Sequence, residues 1–233
     1  MSDYVYSPYE KQVWDYFMDP SRINNAYGVA ALMGNMVAES GIYAGRLQSD
    51  FTTSFQPSAA YTQALNAGNI SQNDFVNYKY YTYNGVTYGP AYGLCQWDYS
   101  PRRQHYWDQW HSGSYNAGSL YFECEFCWWE LNQNEFSSVL SALVNATNIR
   151  AASDVVLAQY ENPADQSEAV KQYRAGCGEN LYTKYVGSPP GPGPDPDPSY
   201  PGIDGPWAAV LWYITRRNAD MLVLTKELYR WLK

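Results

Sequence analysis

The chain has 233 residues, room for one domain of ordinary size with an appendage. Hydrophobic residues make up 45% of it and charged residues 16%, a balance that supports a packed core and excludes global disorder. The net charge is −8, with no stripe of Lys and Arg to neutralise phosphates, which argues against nucleic acid as a partner.

Ser7-Pro8-Tyr9-Glu10 reads as an N-cap, a proline at the first helical position and a capping-box glutamate. A helix follows to about Met18 and is stopped by Pro20. No apolar h-region lies between Met1 and Asp15, so no secretory signal peptide is expected. The next helix starts at Asn24 or Asn25, with Val29, Leu32, Met33, Met36 and Val37 at helical spacing and Gly41 as its C-terminal cap. Periodicity is lost from Arg46 to Ser54, and a short helix is expected from Pro57 to Leu65, ending at Gly68. Asn84-Gly85 between Tyr78–Tyr83 and Val86–Tyr88 is a hairpin signal, the one convincing β element. Further helices are expected from Ser100-Pro101 to Trp110, Gly118 to Asn132, Phe136 to Val144, Asn148 to Tyr160, and from Asp165 and Glu168 to Tyr185. The fold class is α+β and predominantly helical: seven or eight helices with one small β-hairpin.

Residues 187–206 form a Pro/Gly/Asp-rich tract that reads as an extended linker between a domain at 1–186 and a C-terminal amphipathic helix at 207–233. Trp207, Leu211, Ile214, Met221, Leu224, Leu228 and Trp231 fall near one face of that helix, which points to docking, self-association or contact with another protein. The longest apolar run, Trp207 to Ile214, is too short to span a bilayer.

The four cysteines are Cys95, Cys124, Cys127 and Cys177. Cys124 and Cys127 share a helical face, and His105 or His111 could join them as metal ligands. A second close-spaced ligand pair is missing and Phe, Trp and Leu surround the cysteines, so they read as core residues; no metal or cofactor is expected. A cysteine nucleophile at Cys95 paired with His105 or His111 is a distant rival, because Cys95 is not at a helix N-terminus.

Chemistry concentrates in two motifs, Gly34-Asn35-Met36-Val37-Ala38-Glu39-Ser40-Gly41 and Ala91-Tyr92-Gly93-Leu94-Cys95-Gln96-Trp97. Glu39 closes an apolar helix, where burial and the negative end of the helix dipole both favour a protonated carboxyl. Cleavage of a glycosidic bond needs such an acid. An exposed, purely structural helix-end glutamate is the bland alternative. The hairpin should carry the second motif back to the helix end, where Gly93 permits close backbone approach and Gln96 offers a donor and an acceptor, either to sugar hydroxyls or to the loop itself. The 24 Tyr and 9 Trp suit a sugar groove or, equally, an aromatic core.

The order Glu-Ser followed by Tyr-Gly-Leu-x-Gln resembles the lysozyme-like superfamily, which includes goose-type lysozymes and soluble lytic transglycosylases. The nearer resemblance is to the phage tail lysozyme family, carried by residues 34–41, residues 92–103, the helix holding Trp129-Glu130-Leu131, and Ala158-Gln159-Tyr160-Glu161-Asn162-Pro163. It spans roughly residues 8–185. The resemblance implies a lysozyme-like catalytic domain at 1–186, with bacterial peptidoglycan as substrate, a muramidase-type glycoside hydrolase activity and Glu39 as its acid. It also implies positioning of the glycan by Ser40, Tyr92, Gly93, Leu94, Gln96 and Trp97. A lytic transglycosylase using the same Glu39 and a wall-binding tail component without activity are the alternatives. For a second carboxylate the candidates are Asp50, Asp74 and Asp98, with Asp50, in the loop after the Glu39 helix, favoured. Glu161 either lines the cleft or braces the turn at Pro163. Such a protein acts from a virion tail or after release from the host cytoplasm, and the segment at 207–233 is its place for self-association or contact with a phage protein.

Overall fold

The protein is described by a computed structural model covering residues 6–48, 58–83 and 85–187. Asp50, the tract beyond Gly187 and the amphipathic segment 207–233 lie outside the described residues.

Among the described residues there are nine α-helices and one three-stranded sheet. Helix α1 (Glu10–Phe17) starts where Ser7 Oγ accepts from the Tyr9 amide, and Glu10 reaches back to the Tyr6 amide. Helix α2 (Ala26–Ser40) is capped by Asn25, whose Oδ1 accepts from the Tyr27 and Gly28 amides, and is closed by Gly41 in the left-handed conformation at φ 67°. These are the start and stop read from the sequence, and nearly the whole of α2 is buried at the centre of the molecule. Helix α3 is Ser58–Asn66, and α4 (Gln72–Val76) is a short helix that apolar periodicity misses; its signal is the Ser71 cap, bonded to the Asp74 amide.

The predicted hairpin is β1 (Tyr81–Tyr83) against β2 (Val86–Tyr92). Its extension is a finding, for β2 runs on to Tyr92 and pairs with a third antiparallel strand, β3 (Trp97–Tyr99). The sheet order is β1-β2-β3, so the Tyr92–Trp97 motif is itself the turn between two strands. Helix α5 (Ser100–Ser112) follows without a break; Tyr99, not Ser100, holds its N-cap position. Helices α6 (Leu120–Leu131), α7 (Ser137–Val144) and α8 (Ile149–Val156) come next. Asn148 caps α8 through the Ala151 amide. Beyond Val156 the helix widens into a π turn, Leu157–Glu161, ending in Asn162 at φ 47°. Helix α9 (Glu168–Tyr185) packs along α2.

That packing is close because glycine meets glycine. A Cβ on Gly34 would stand 2.4 Å from the Arg174 carbonyl oxygen and 2.7 Å from the Gly178 amide nitrogen. One on Gly178 would stand 2.6 Å from the Ala30 carbonyl oxygen. The backbones of α2 and α9 therefore touch, which brings α9 side chains up to the C-terminal end of α2.

Candidate active site

The open end of α2 supplies the first carboxylate. Arg174, on α9, donates from Nη2 to Glu39 Oε1 at 2.5 Å and from Nη1 to Asn35 Oδ1 at 3.2 Å. Asn35 is oriented in turn by donating to Ala31 O and Ser153 Oγ, both at 3.0 Å. Glu39 keeps 19% of its side-chain surface and Arg174 only 8%, so a guanidinium fixed from behind presents a half-open carboxylate. No sequence motif points to Arg174. It lies far along the chain, and only the Gly34–Gly178 contact explains why it meets Glu39. Ser40 turns the other way: it is buried, and its hydroxyl donates to Met36 O at 3.2 Å, inside the helix.

Arg46 joins the two motifs. Its Nη1 donates to Ser40 O at 2.8 Å, while its own carbonyl accepts from the Gly93 amide at 2.8 Å and from Gln96 Nε2 at 2.9 Å. The 93–96 turn is thereby held against the end of α2, as the sequence implied. Gln96 sits at φ 46° and donates also to Gly93 O at 2.9 Å, so its amide nitrogen fixes the turn. Gly93, at φ 85°, has no room for a side chain: a Cβ would lie 2.6 Å from the Trp97 ring and 2.8 Å from Glu123 Oε1.

Glu123, on α6, is the buried anchor beneath this turn. It accepts from the Leu94 amide (2.9 Å), the Gly45 amide (3.0 Å) and the Tyr106 hydroxyl (3.1 Å). Burial outweighs these three donors and pushes its carboxyl up to about 7. Tyr92 is buried with its hydroxyl on Thr62, at 2.6 Å. Of the predicted glycan-contacting side chains, Tyr92 and Ser40 thus face the interior.

Trp97 is buried as well, and its indole N–H donates to Glu130 Oε2 at 2.7 Å. Glu130 also takes a two-pronged ion pair from Arg102 (both contacts 2.8 Å) and the Tyr160 hydroxyl at 2.7 Å. Arg102 completes the knot by donating to Tyr160 O at 3.0 Å. Breaking such a buried pair from one side costs about 3–5 kcal/mol, because the other charge is left behind. The knot ties β3, α5 and α6 to the π turn, and the turn ends in Glu161.

Glu161 is the second carboxyl of this region. Part of the residue reaches the surface, yet its Oε1 is buried with no hydrogen-bond partner. Burial pushes its carboxyl well above the usual carboxylate range, and the nearby charge of Glu39 adds to the effect, against the pull of Arg102 and Arg174. Neither reading of Glu161 from the sequence anticipated this burial. Of the aspartate candidates, Asp74 is exposed and bonded to Ser71 at the start of α4, and the charge of Asp98, in β3, acts on Arg103. Cys95 is buried, and burial pushes its thiol far up, the opposite of what a nucleophile needs. Among the described residues no group of three or more His, Cys, Asp or Glu side chains could hold a metal ion.

The arrangement is therefore one half-open carboxylate braced by a guanidinium, one enclosed carboxyl beside it, and a rigid glycine turn opposite. The phage tail lysozyme family matches the chain over residues 9–185. No curated protein and no solved structure matches the chain.

Proposed function

The chain belongs to the phage tail lysozyme family, whose role is lysozyme-like and directed at peptidoglycan, and from that premise we propose that it cleaves the glycan backbone as a muramidase, with Glu39 as general acid. The observation that carries the reading is the joining of the two motifs through Arg46, which sets the Glu39 end of α2 against the Gly93–Gln96 turn. A glycan strand lying there meets the Glu39 carboxyl and the edge of Gln96. Gly93 keeps the turn free of side chains, while Tyr92, Trp97 and Ser40 act from beneath by shaping it. Protonation of the leaving oxygen and stabilisation of an oxocarbenium-like transition state are the two tasks of such a site. Its place of work is the bacterial wall, reached from a virion tail or on release from the host. Residues 1–186 are the catalytic domain in this reading, and segment 207–233 is the place for contact with a phage protein or a second copy.

Lytic transglycosylation by the same Glu39 is the second reading. It is favoured by one observation: Oε1 of the carboxyl beside Glu39, that of Glu161, is enclosed, whereas a hydrolase gains from an open carboxylate facing the attacking water.

The deciding experiment is mass spectrometry of soluble products from purified peptidoglycan, with wild type and Glu39→Gln side by side. A hydrolase releases reducing-end muropeptides, and the variant loses roughly 10²–10⁴-fold of the rate. Anhydro-sugar ends identify the transglycosylase. Peptide cleavage defeats the proposal outright, and wall binding without cleavage leaves a non-catalytic tail component.

A further inference from the structure

Two carboxyls and one guanidinium share a corner in which the hydrogen bonding does not balance. Arg174 gives Nη1 to Asn35 and Nη2 to Glu39, and its Nε–H is buried without a partner. Glu161 Oε1 is buried and partnerless too. An ionised carboxylate with an enclosed, unpaired oxygen is far costlier than a neutral acid in the same place. Glu39 is the opposite case, a carboxylate in contact with a guanidinium.

Resting on the muramidase reading of Glu39, we propose that Glu161 is the second functional carboxyl of the site: it holds, as a neutral acid, the single proton that the Glu39–Glu161 pair carries at rest, and it acts through Glu39. During turnover the proton passes, by way of solvent water, from the Glu161 carboxyl to the Glu39 carboxylate. Glu161, now ionised, is favoured by the nearby charge of Arg174. Glu39 gives the proton to the glycosidic oxygen as the C–O bond breaks. The hydroxyl group that adds to the sugar carbon, from water or from the sugar itself, returns one proton to the pair. Charge and proton count are restored with no co-reactant.

The groups facing Glu161 are Glu39 from α2, Cys95 from the β2–β3 turn, Arg102 from α5, Cys127 from α6 and Arg174 from α9. Glu130, also on α6, is occupied by Arg102, Trp97 and Tyr160. Arg102 is thereby committed elsewhere, and Glu39 is the one carboxylate of the group that is both ion-paired to Arg174 and half-open.

The test follows glutamate side-chain carboxyls by 13C NMR through a pH titration of the full chain, with Glu161→Gln assigning the signal, beside the pH–rate profile on purified peptidoglycan. One carboxyl that titrates well above the ordinary carboxylate range, is absent from Glu161→Gln and titrates at lower pH in Glu39→Gln is the expected result. Glu161→Gln should also lose at least about tenfold of kcat at neutral pH and shift its alkaline limb toward acid, changes that a purely structural role would not produce. The proposal is overturned by a Glu161 signal in the ordinary carboxylate range, or by a folded Glu161→Gln with the wild-type pH profile. If Glu161→Gln fails to fold, the wild-type and Glu39→Gln titrations still decide, through the presence or absence of a high-titrating carboxyl that responds to Glu39. The expected titration with no glycan product from wild type would sink the muramidase reading and leave the shared proton standing.

Discussion

At the scale of single residues, Glu123 shows how a site is held by a group that never meets substrate. It grips the Gly45 and Leu94 amides from inside the core, and its carboxyl is pushed up by burial to about 7 from the usual 4.5. Because the folded value is the raised one, the stabilising contribution of Glu123 is complete below pH 4.5 and is lost as pH climbs through about 7. Replacing it by Gln removes one acceptor, at a cost of about 1–3 kcal/mol, and removes the titration. The gap in Tm between wild type and Glu123→Gln should therefore narrow from pH ~5 to pH ~7.5; a constant gap would mean that Glu123 does not titrate in that window. The sequence offers little warning, since Glu123 is one of three glutamates, with Glu125 and Glu130, in a helix otherwise apolar and aromatic. Gly93 is the contrasting case. Its need for φ 85° and an empty side-chain volume is what a glycine between such neighbours already suggests.

At the scale of elements, the contact of α2 with α9 decides whether Arg174 reaches Glu39. Two glycines on α9 make a matched test. Gly178 has the Ala30 carbonyl oxygen at 2.6 Å and Ile149 Cγ2 at 2.9 Å from where a Cβ would be, while Gly176 has nothing within 4 Å. Gly178→Ala should cost about 1–3 kcal/mol and lower glycan cleavage by moving Arg174. Gly176→Ala should raise stability by roughly 0.5–1 kcal/mol through helix propensity and leave cleavage unchanged. Thermal unfolding and product release measure both; two alanines of like sign would refute the steric account.

The legible and illegible elements divide on the same physical line. Caps such as Asn25 and Asn148, the Gly41 stop and the pairing of β1 with β2 are local codes, and the sequence carries them whole. Helix α4 is too short for periodicity, and β3 is three residues whose pairing is decided by β2. Glu39 and the Gly93–Gln96 turn are readable because they are motifs contiguous in sequence. Arg174, Arg46 and Glu123 are not, because each matters only through a long-range contact. Ser40, Tyr92 and Trp97 are readable as important, but the direction of their side chains is not.

At the scale of the molecule, charge shapes how substrate is met. The net −8 gives no long-range attraction to an anionic wall, so recognition rests on contacts shorter than the screening length. Glycan cleavage should change by less than about threefold between ~50 and ~200 mM salt, followed by release of soluble muropeptides; a collapse over that range would reveal an electrostatic attraction that the sequence does not carry. Tyrosine serves both interior and surface. Tyr92, Tyr106 and Tyr160 are buried with their hydroxyls on Thr62, Glu123 and Glu130, so part of the aromatic excess builds the frame around the site.

The π turn at Leu157–Glu161 makes angular phase a heritable property of this chain. A π turn holds one residue more than the α-helical path it replaces, and a residue of helix is about 100° of rotation. The wide turn absorbs that extra residue, so the helix before it keeps its own phase while Tyr160 meets Glu130 and Glu161 stands in its corner. The angle at which Tyr160 and Glu161 leave the helix is thus set by one surplus residue in the turn as much as by the side chains themselves.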